Sequence, residues 1–290
     1  MRRPPARAET VALLGITTAG LTLFVAPLLV GSAFPEQAAL FTALIATSAL
    51  AVLALALQTQ RLSPRLLAVL AALVAVDATL RLVIVIGLLG FSPIFFLIIA
   101  GGYVMGPSFG FALGALTLLL SAVLTAGFGP WLPYQMLASG WVGLGAGYLG
   151  TLLGRRAPTP TLPRKRGRGR PGAILVLAIY GCLAGFAYGV LLDLWEWPFL
   201  LGVGSSPISW APELSLLDLA RRFTAFYVTT SLVYDSFRAA GNVVLIALLG
   251  PAVIRALDRF RRRFLLDWAE PGLVREPAPA KISADAGTSA

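Results

Sequence analysis

The sequence predicts an all-α integral membrane protein with eight spanning segments, on three observations. Hydrophobic residues fill 58% of the 290 positions and charged residues only 12%, against about 25% charged in an ordinary soluble domain. Mean hydropathy is +0.83, so polar residues are too few to cover a water-soluble globule of this size. Apolar runs of about 20 residues, the length that crosses a bilayer as a helix, recur along the chain.

The segments fall at 11–32, 38–57, 66–89, 92–106, 108–127, 132–154, 172–194 and 222–250. The first follows "MRRPPAR" and ends near a "GSA" stretch resembling a cleavage site. Its apolar run exceeds the 7–15 residues of a secretion signal, and a second run follows closely, so it is expected to be retained. The third opens "LLAVLAALVAVDA", which spaces Ala68 from Ala72 and Ala71 from Ala75 by four, the small-xxx-small pattern that lets another helix approach closely. The fourth is short and glycine-rich. The sixth opens on the aromatic turn "GFGPWLPYQ". Beyond the eighth, Val253, Leu257, Phe260, Phe264 and Trp268 recur at helical spacing with arginines opposite, which predicts an amphipathic helix lying on the inner leaflet. The tail from Pro271 is small and polar and is expected to be disordered.

Basic residues order these segments across the membrane. Arg2, Arg3 and Arg7 precede the first; Arg61 and Arg65 lie between the second and third. The linker "RRAPTPTLPRKRGRGRPG" carries seven basic residues, four prolines and no acid, and Arg255, Arg259, Arg261, Arg262 and Arg263 follow the eighth. With eight spans all these regions share one side, which the positive-inside rule makes cytoplasmic, together with both termini. Glu36, Glu196, Glu213 and Asp218 fall on the other side. The formal charge of +10 is thereby a topology signal, with no nucleic-acid partner expected, and the basic linker could also meet anionic lipid. No histidine is present and the one cysteine, Cys182, lies in an apolar run, so neither a thiolate metal site nor histidine chemistry is expected. Nothing suggests an enzyme, a metal or a cofactor.

Two sets of residues are candidates for function. The outer connections hold Phe91, Ser92, Phe95, Phe96, Trp131, Tyr134, Gln135, Trp195, Trp197 and Trp210 beside prolines, whereas Trp268 is the inner side's only tryptophan. These rings could be an interfacial belt or the mouth of a ligand site. Within the spans, Asp77 and Arg81 are four apart and Asp235 and Arg238 three apart, with Asn242 one turn further. Charges at such depth are costly and face the interior of a bundle. They could form ion pairs within each helix or the floor of a cavity. At about 1.5 Å rise per residue, antiparallel packing would bring Asp77 level with Arg238 and Arg81 level with Asp235, predicting two reciprocal pairs between the helices if these are neighbours.

The stretch from Leu66 to Leu249 resembles the substrate-binding, or S, component of energy-coupling factor (ECF) transporters. The resemblance is carried by "GFSPIFF", by "GFALGALTLLLSAVLTAGFGPWLPYQMLASGWVGLGAG" and by "TSLVYDSFRAAGNVVLIALLG". It implies a six-helix core over residues 66–250, interrupted by the basic linker 155–171. Residues 1–65 then form a two-helix extension, and 251–290 the amphipathic helix and tail. It further implies binding of a vitamin-like micronutrient from outside a prokaryotic cell, a corrinoid such as cobalamin being the first candidate. Phe91, Ser92, Phe95, Trp131, Tyr134, Gln135, Trp195, Trp197, Asp235, Arg238 and Asn242 would hold the ligand, with Asp77 and Arg81 beneath. Ala68, Ala71, Ala72 and Ala75 would dock a transmembrane coupling subunit, and two separate ATPases would supply energy; this chain has no phosphate-binding G-x-x-x-x-G-K-[ST] loop. A proton- or ion-coupled secondary transporter using Asp77, Arg81, Asp235 and Arg238 is the alternative.

Overall fold

A computed structural model describes residues 64–85, 94–153, 171–200, 206–212 and 214–262, with scattered positions between 15 and 54. Eight helices are defined among the described residues: α1 (Pro64–Val85), α2 (Ile94–Met105), α3 (Pro107–Thr125), α4 (Leu132–Leu152), α5 (Pro171–Leu200), α6 (Leu216–Thr230), α7 (Leu232–Leu248) and α8 (Gly250–Arg261). No strand occurs among them. Of the second expected span only positions 44, 47, 51 and 54 are described, all helical; the basic linker 155–170 and the tail lie outside the described residues.

Proline starts many of these helices, where its missing N–H is no loss: Pro64, Pro107 and Pro171 open α1, α3 and α5. Between α2 and α3 the chain turns at Gly106, whose φ of 113° lies in the region that favours glycine. At the start of α6, Ser215 Oγ accepts from the Asp218 amide at 3.1 Å and donates to the Asp218 carboxylate at 2.6 Å, a reciprocal N-terminal cap.

Among the described residues two helices, Pro107–Thr125 and Gly172–Phe199, are long and apolar enough to cross a membrane, and the bent pair α6–α7 makes a third span if counted as one. The molecule is an α-helical membrane protein, but its segments differ from the expected ones in three places. Helix α2 has 12 residues, about 18 Å of length against an apolar layer of about 30 Å. Every residue from Ile94 to Val104 is buried, so α2 is a short helix enclosed by its neighbours. Helix α5 runs on to Leu200, so Trp195 and Trp197 stand on a helix instead of a loop. The expected span 222–250 is two helices meeting at 65° around Ser231.

The core is built on α3 and α4, which pack along each other, with α2 against both and α1 along α3. Glycine makes this approach possible: a Cβ on Gly110 or Gly143 would run into the other's backbone, and one on Gly114 would meet the Ser139 carbonyl. The "GWVGLGAG" run is thus a contact surface. Helix α5 pairs with α7. Helix α8 folds back over α2 with Ile254 and Leu257 buried, and Arg261 donates to the Val104 carbonyl at 2.9 Å. This part of its apolar face therefore lies on protein, where the sequence pattern suggested the inner leaflet; Phe264 and Trp268 of that pattern lie outside the described residues. Of the first expected span, the described positions from Gly15 to Leu28 are helical. Phe24 there is fully buried against Tyr134 and Trp141 of α4, so this segment belongs to the packed body.

Candidate functional site: a polar seam beside a layer of rings

Helix α5 presents Gly181, Gly185 and Gly189 at four-residue intervals toward α7, and each meets a polar side chain. Asn242 Nδ2 donates to the Gly181 carbonyl at 2.9 Å. Arg238 donates to the Gly185 carbonyl at 3.4 Å. At Gly189 a Cβ would collide with the Asp235 carboxylate, so the carboxylate sits where any other residue's side chain would begin. One turn further stands Asp193. Small residues at four-residue spacing let helices approach closely and expose backbone carbonyls as acceptors; here that approach lets Asn242 and Arg238 donate to the facing backbone and gives Asp235 room beside it.

Within the seam Arg238 pairs with Asp235, and Tyr227 Oη of α6 donates to the second Asp235 oxygen at 3.0 Å. The Arg238 guanidinium also lies over the Tyr188 ring, 5.2 Å from its centroid. Charge-assisted bonds of this kind are stronger than neutral ones, and Asp235 at 1% exposure is thus a buried but compensated charge. Arg81, Ser139 and Asp235 also lie within electrostatic reach of Tyr188, which makes that tyrosine the point where α1, α4, α5 and α7 converge.

The reciprocal pairs expected between Asp77 and Arg238 and between Arg81 and Asp235 are not formed. Helix α1 packs on α3 and α2 and has no packed seam with α7. The pair within α7 forms instead, while Arg81 donates to Ser121 of α3 at 3.1 Å. Asp77 is fully buried facing Thr117, with neither carboxylate oxygen hydrogen-bonded.

The aromatic residues divide into two groups. Tyr134 stacks on Trp195 with centroids 4.3 Å apart and meets Phe24 edge-on at 4.9 Å; both Tyr134 and Trp195 are buried. Phe95 of α2 packs edge-on against Tyr188 at 4.8 Å. Both sets belong to one core, with Tyr188 and Trp195 about two turns apart on α5, and Gln135 is half-buried. Trp197 belongs elsewhere: it packs with Trp210 and Phe226 and donates from Nε1 to the Ile208 carbonyl at 2.9 Å. Trp131 is 43% exposed. Phe91 and Ser92 lie outside the described residues. Ala68, Ala71, Ala72 and Ala75 are all exposed on one side of α1, with Leu67 and Val76 exposed around them.

Gly181, Gly185, Gly189, Tyr188, Asp193 and Tyr227 complete the site and were not singled out from the sequence. The glycines had a signal, the G-x-x-x-G-x-x-x-G run in "GCLAGFAYG". Tyr227 and Asp193 had none, because their role depends on where the chain bends. No protein-family model, curated protein or solved structure matches the chain.

Proposed function

We propose that this chain is the substrate-binding subunit of an ECF-type importer, capturing a vitamin-like micronutrient at the outer face of a prokaryotic cell membrane. The observation supporting it is the juxtaposition on α5 of a buried polar seam and a layer of stacked rings: polar groups fix a ligand's orientation and rings supply contact area, the composition of a small-molecule site. The sequence resemblance supports the family. A six-helix core, cytoplasmic termini and a corrinoid as the first candidate ligand are parts of this reading. The exposed alanine face of α1 is the surface on which a transmembrane coupling subunit would dock, with two cytoplasmic ATPases beneath it.

Asp77 favours a second reading. A fully buried carboxylate without a hydrogen bond suits a proton carrier, and would make the chain an ion-coupled transporter working alone. Reconstitution separates the two. A binding subunit alone in liposomes moves no ligand under any ion gradient, and transports once coupling subunit and ATPases are co-reconstituted with ATP. Gradient-driven uptake by the chain alone supports the second reading. Under the first, Ala72→Trp is expected to abolish co-purification with the coupling subunit and uptake while leaving ligand binding intact; loss of binding would place Ala72 in the fold's own packing.

A further inference from the structure

The break between α6 and α7 gathers oxygen atoms around a carboxylate whose hydrogen-bonding capacity is unmet. Asp193 is 8% exposed, and its Oδ2 has no hydrogen-bond partner. The Ser231 hydroxyl, at the break, faces it, and Asp235, Glu196 and Arg238 lie within electrostatic reach. Apart from Ser231, the donors nearby are committed elsewhere. Tyr227 donates to Asp235, Arg238 to Asp235 and to the Gly185 carbonyl, and Thr230 to the Phe226 carbonyl at 2.7 Å. Thr230 and Ser231 hydroxyl oxygens are 3.1 Å apart. With its proton given to Phe226, Thr230 presents lone pairs, while the Ser231 hydroxyl is a donor to one Asp193 oxygen and leaves Oδ2 unpartnered.

Charge points the same way. Around Asp193 the described charges are Asp235 and Glu196 against one guanidinium, Arg238, which is already bound to Asp235. A buried carboxylate is strongly unfavourable unless a positive charge joins it. A helix interrupted inside a membrane protein supplies that charge's other ligands, because the first half ends in unpaired carbonyls at the negative end of its dipole. Among the described residues no group of three or more His, Cys, Asp or Glu is arranged to hold a metal. A hard divalent ion draws on several carboxylates, whereas one carboxylate with neutral oxygens suits a monovalent ion.

We propose that the α6–α7 break binds a sodium ion, with the Asp193 carboxylate as its charged ligand and the Ser231 and Thr230 hydroxyls and the carbonyl end of α6 as its neutral ones. The ion neutralises Asp193 and holds the start of α7 against α5. Sodium occupancy therefore sets how firmly the polar seam is closed.

The test is thermal unfolding of the full-length chain in detergent, in sodium chloride and in choline chloride at matched ionic strength. Binding to the folded state raises Tm with ligand concentration, so Tm is expected to rise saturably by several degrees in sodium and to stay flat in choline. Asp193→Asn is expected to remove the sodium increment, and Asp218→Asn, at the exposed start of α6, to keep it. Should Asp193→Asn fail to fold, Ser231→Ala takes its place, with at least a tenfold weaker sodium midpoint expected. Equal Tm in the two salts, an undiminished increment in the variants, or a Tm that follows pH identically in both salts (a carboxyl carrying a proton) would each overturn the proposal.

Discussion

Gly189 is the residue on which the polar seam is most exposed to change. A methyl group there meets the Asp235 carboxylate, which is held by Arg238 and Tyr227 and cannot yield without breaking those bonds. Gly189→Ala is expected to destabilise the protein by about 1–3 kcal/mol, the range for overpacking, measured by reversible unfolding in mixed micelles. Gly172→Ala, on the same helix with open space around it, is expected to be neutral or stabilising, since alanine is the better helix former. The ion pair beside Gly189 gives a second expectation. Arg238→Ala leaves Asp235 buried without its cation, a loss of about 3–5 kcal/mol, and Asp235→Ala added to it is expected to recover part of that loss. The Asp77→Ala and Arg238→Ala losses should instead add, because these residues do not touch; coupling in that cycle would revive the pairing between α1 and α7. The four depths were legible in the sequence, but not which helices are neighbours. Rise per residue places a group along an axis, and only side-to-side packing decides whom it meets.

Helix ends show where periodicity stops being informative. The interiors of α1, α3, α4 and α5 follow from their apolar runs. The break at Ser231 does not, because it has neither proline nor glycine. A run of hydroxyls accompanies it: Thr229 donates to the Ala225 carbonyl and Thr230 to that of Phe226, both four residues back, and such bonds favour a bend. The extension of α5 past Asp193 was hidden by charges and Pro198, which read as a loop; the proline forgoes the bond its N–H would make to the Leu194 carbonyl, and the helix ends two residues later. Helix α8 shows how a stripe read from sequence leaves its partner open. Its described part, with Ile254 and Leu257, packs on α2. Leu257→Ala is therefore expected to loosen α8 from α2, lowering stability by about 2 kcal/mol or more and opening the chain near Arg261 to protease. A stripe resting on lipid would show little change in detergent on either measure.

For the whole molecule, the composition settles that the chain enters a membrane, while the arrangement on α5 gives a reason for the charges it takes there. One face carries Gly181, Gly185, Gly189 and Asp193 toward α7. Another carries Tyr188 and Trp195 toward the rings of α2 and α4. Asp235 and Arg238 would be an expensive way to join two helices that glycine already fits together; under the proposed function, ligand recognition accounts for their cost. The aromatic turn "GFGPWLPYQ" supplies both kinds of ring the sequence left open: Tyr134 inside the layer and Trp131 at the surface. Native mass spectrometry of the full-length chain, released from detergent after mild purification, reads the ligand directly. The wild type is expected to carry a bound small molecule in equimolar amount, and Trp195→Ala and Asp235→Asn to be folded and to lose most of it. A wild type with no adduct, or variants that retain it in full, would contradict ligand capture at this site.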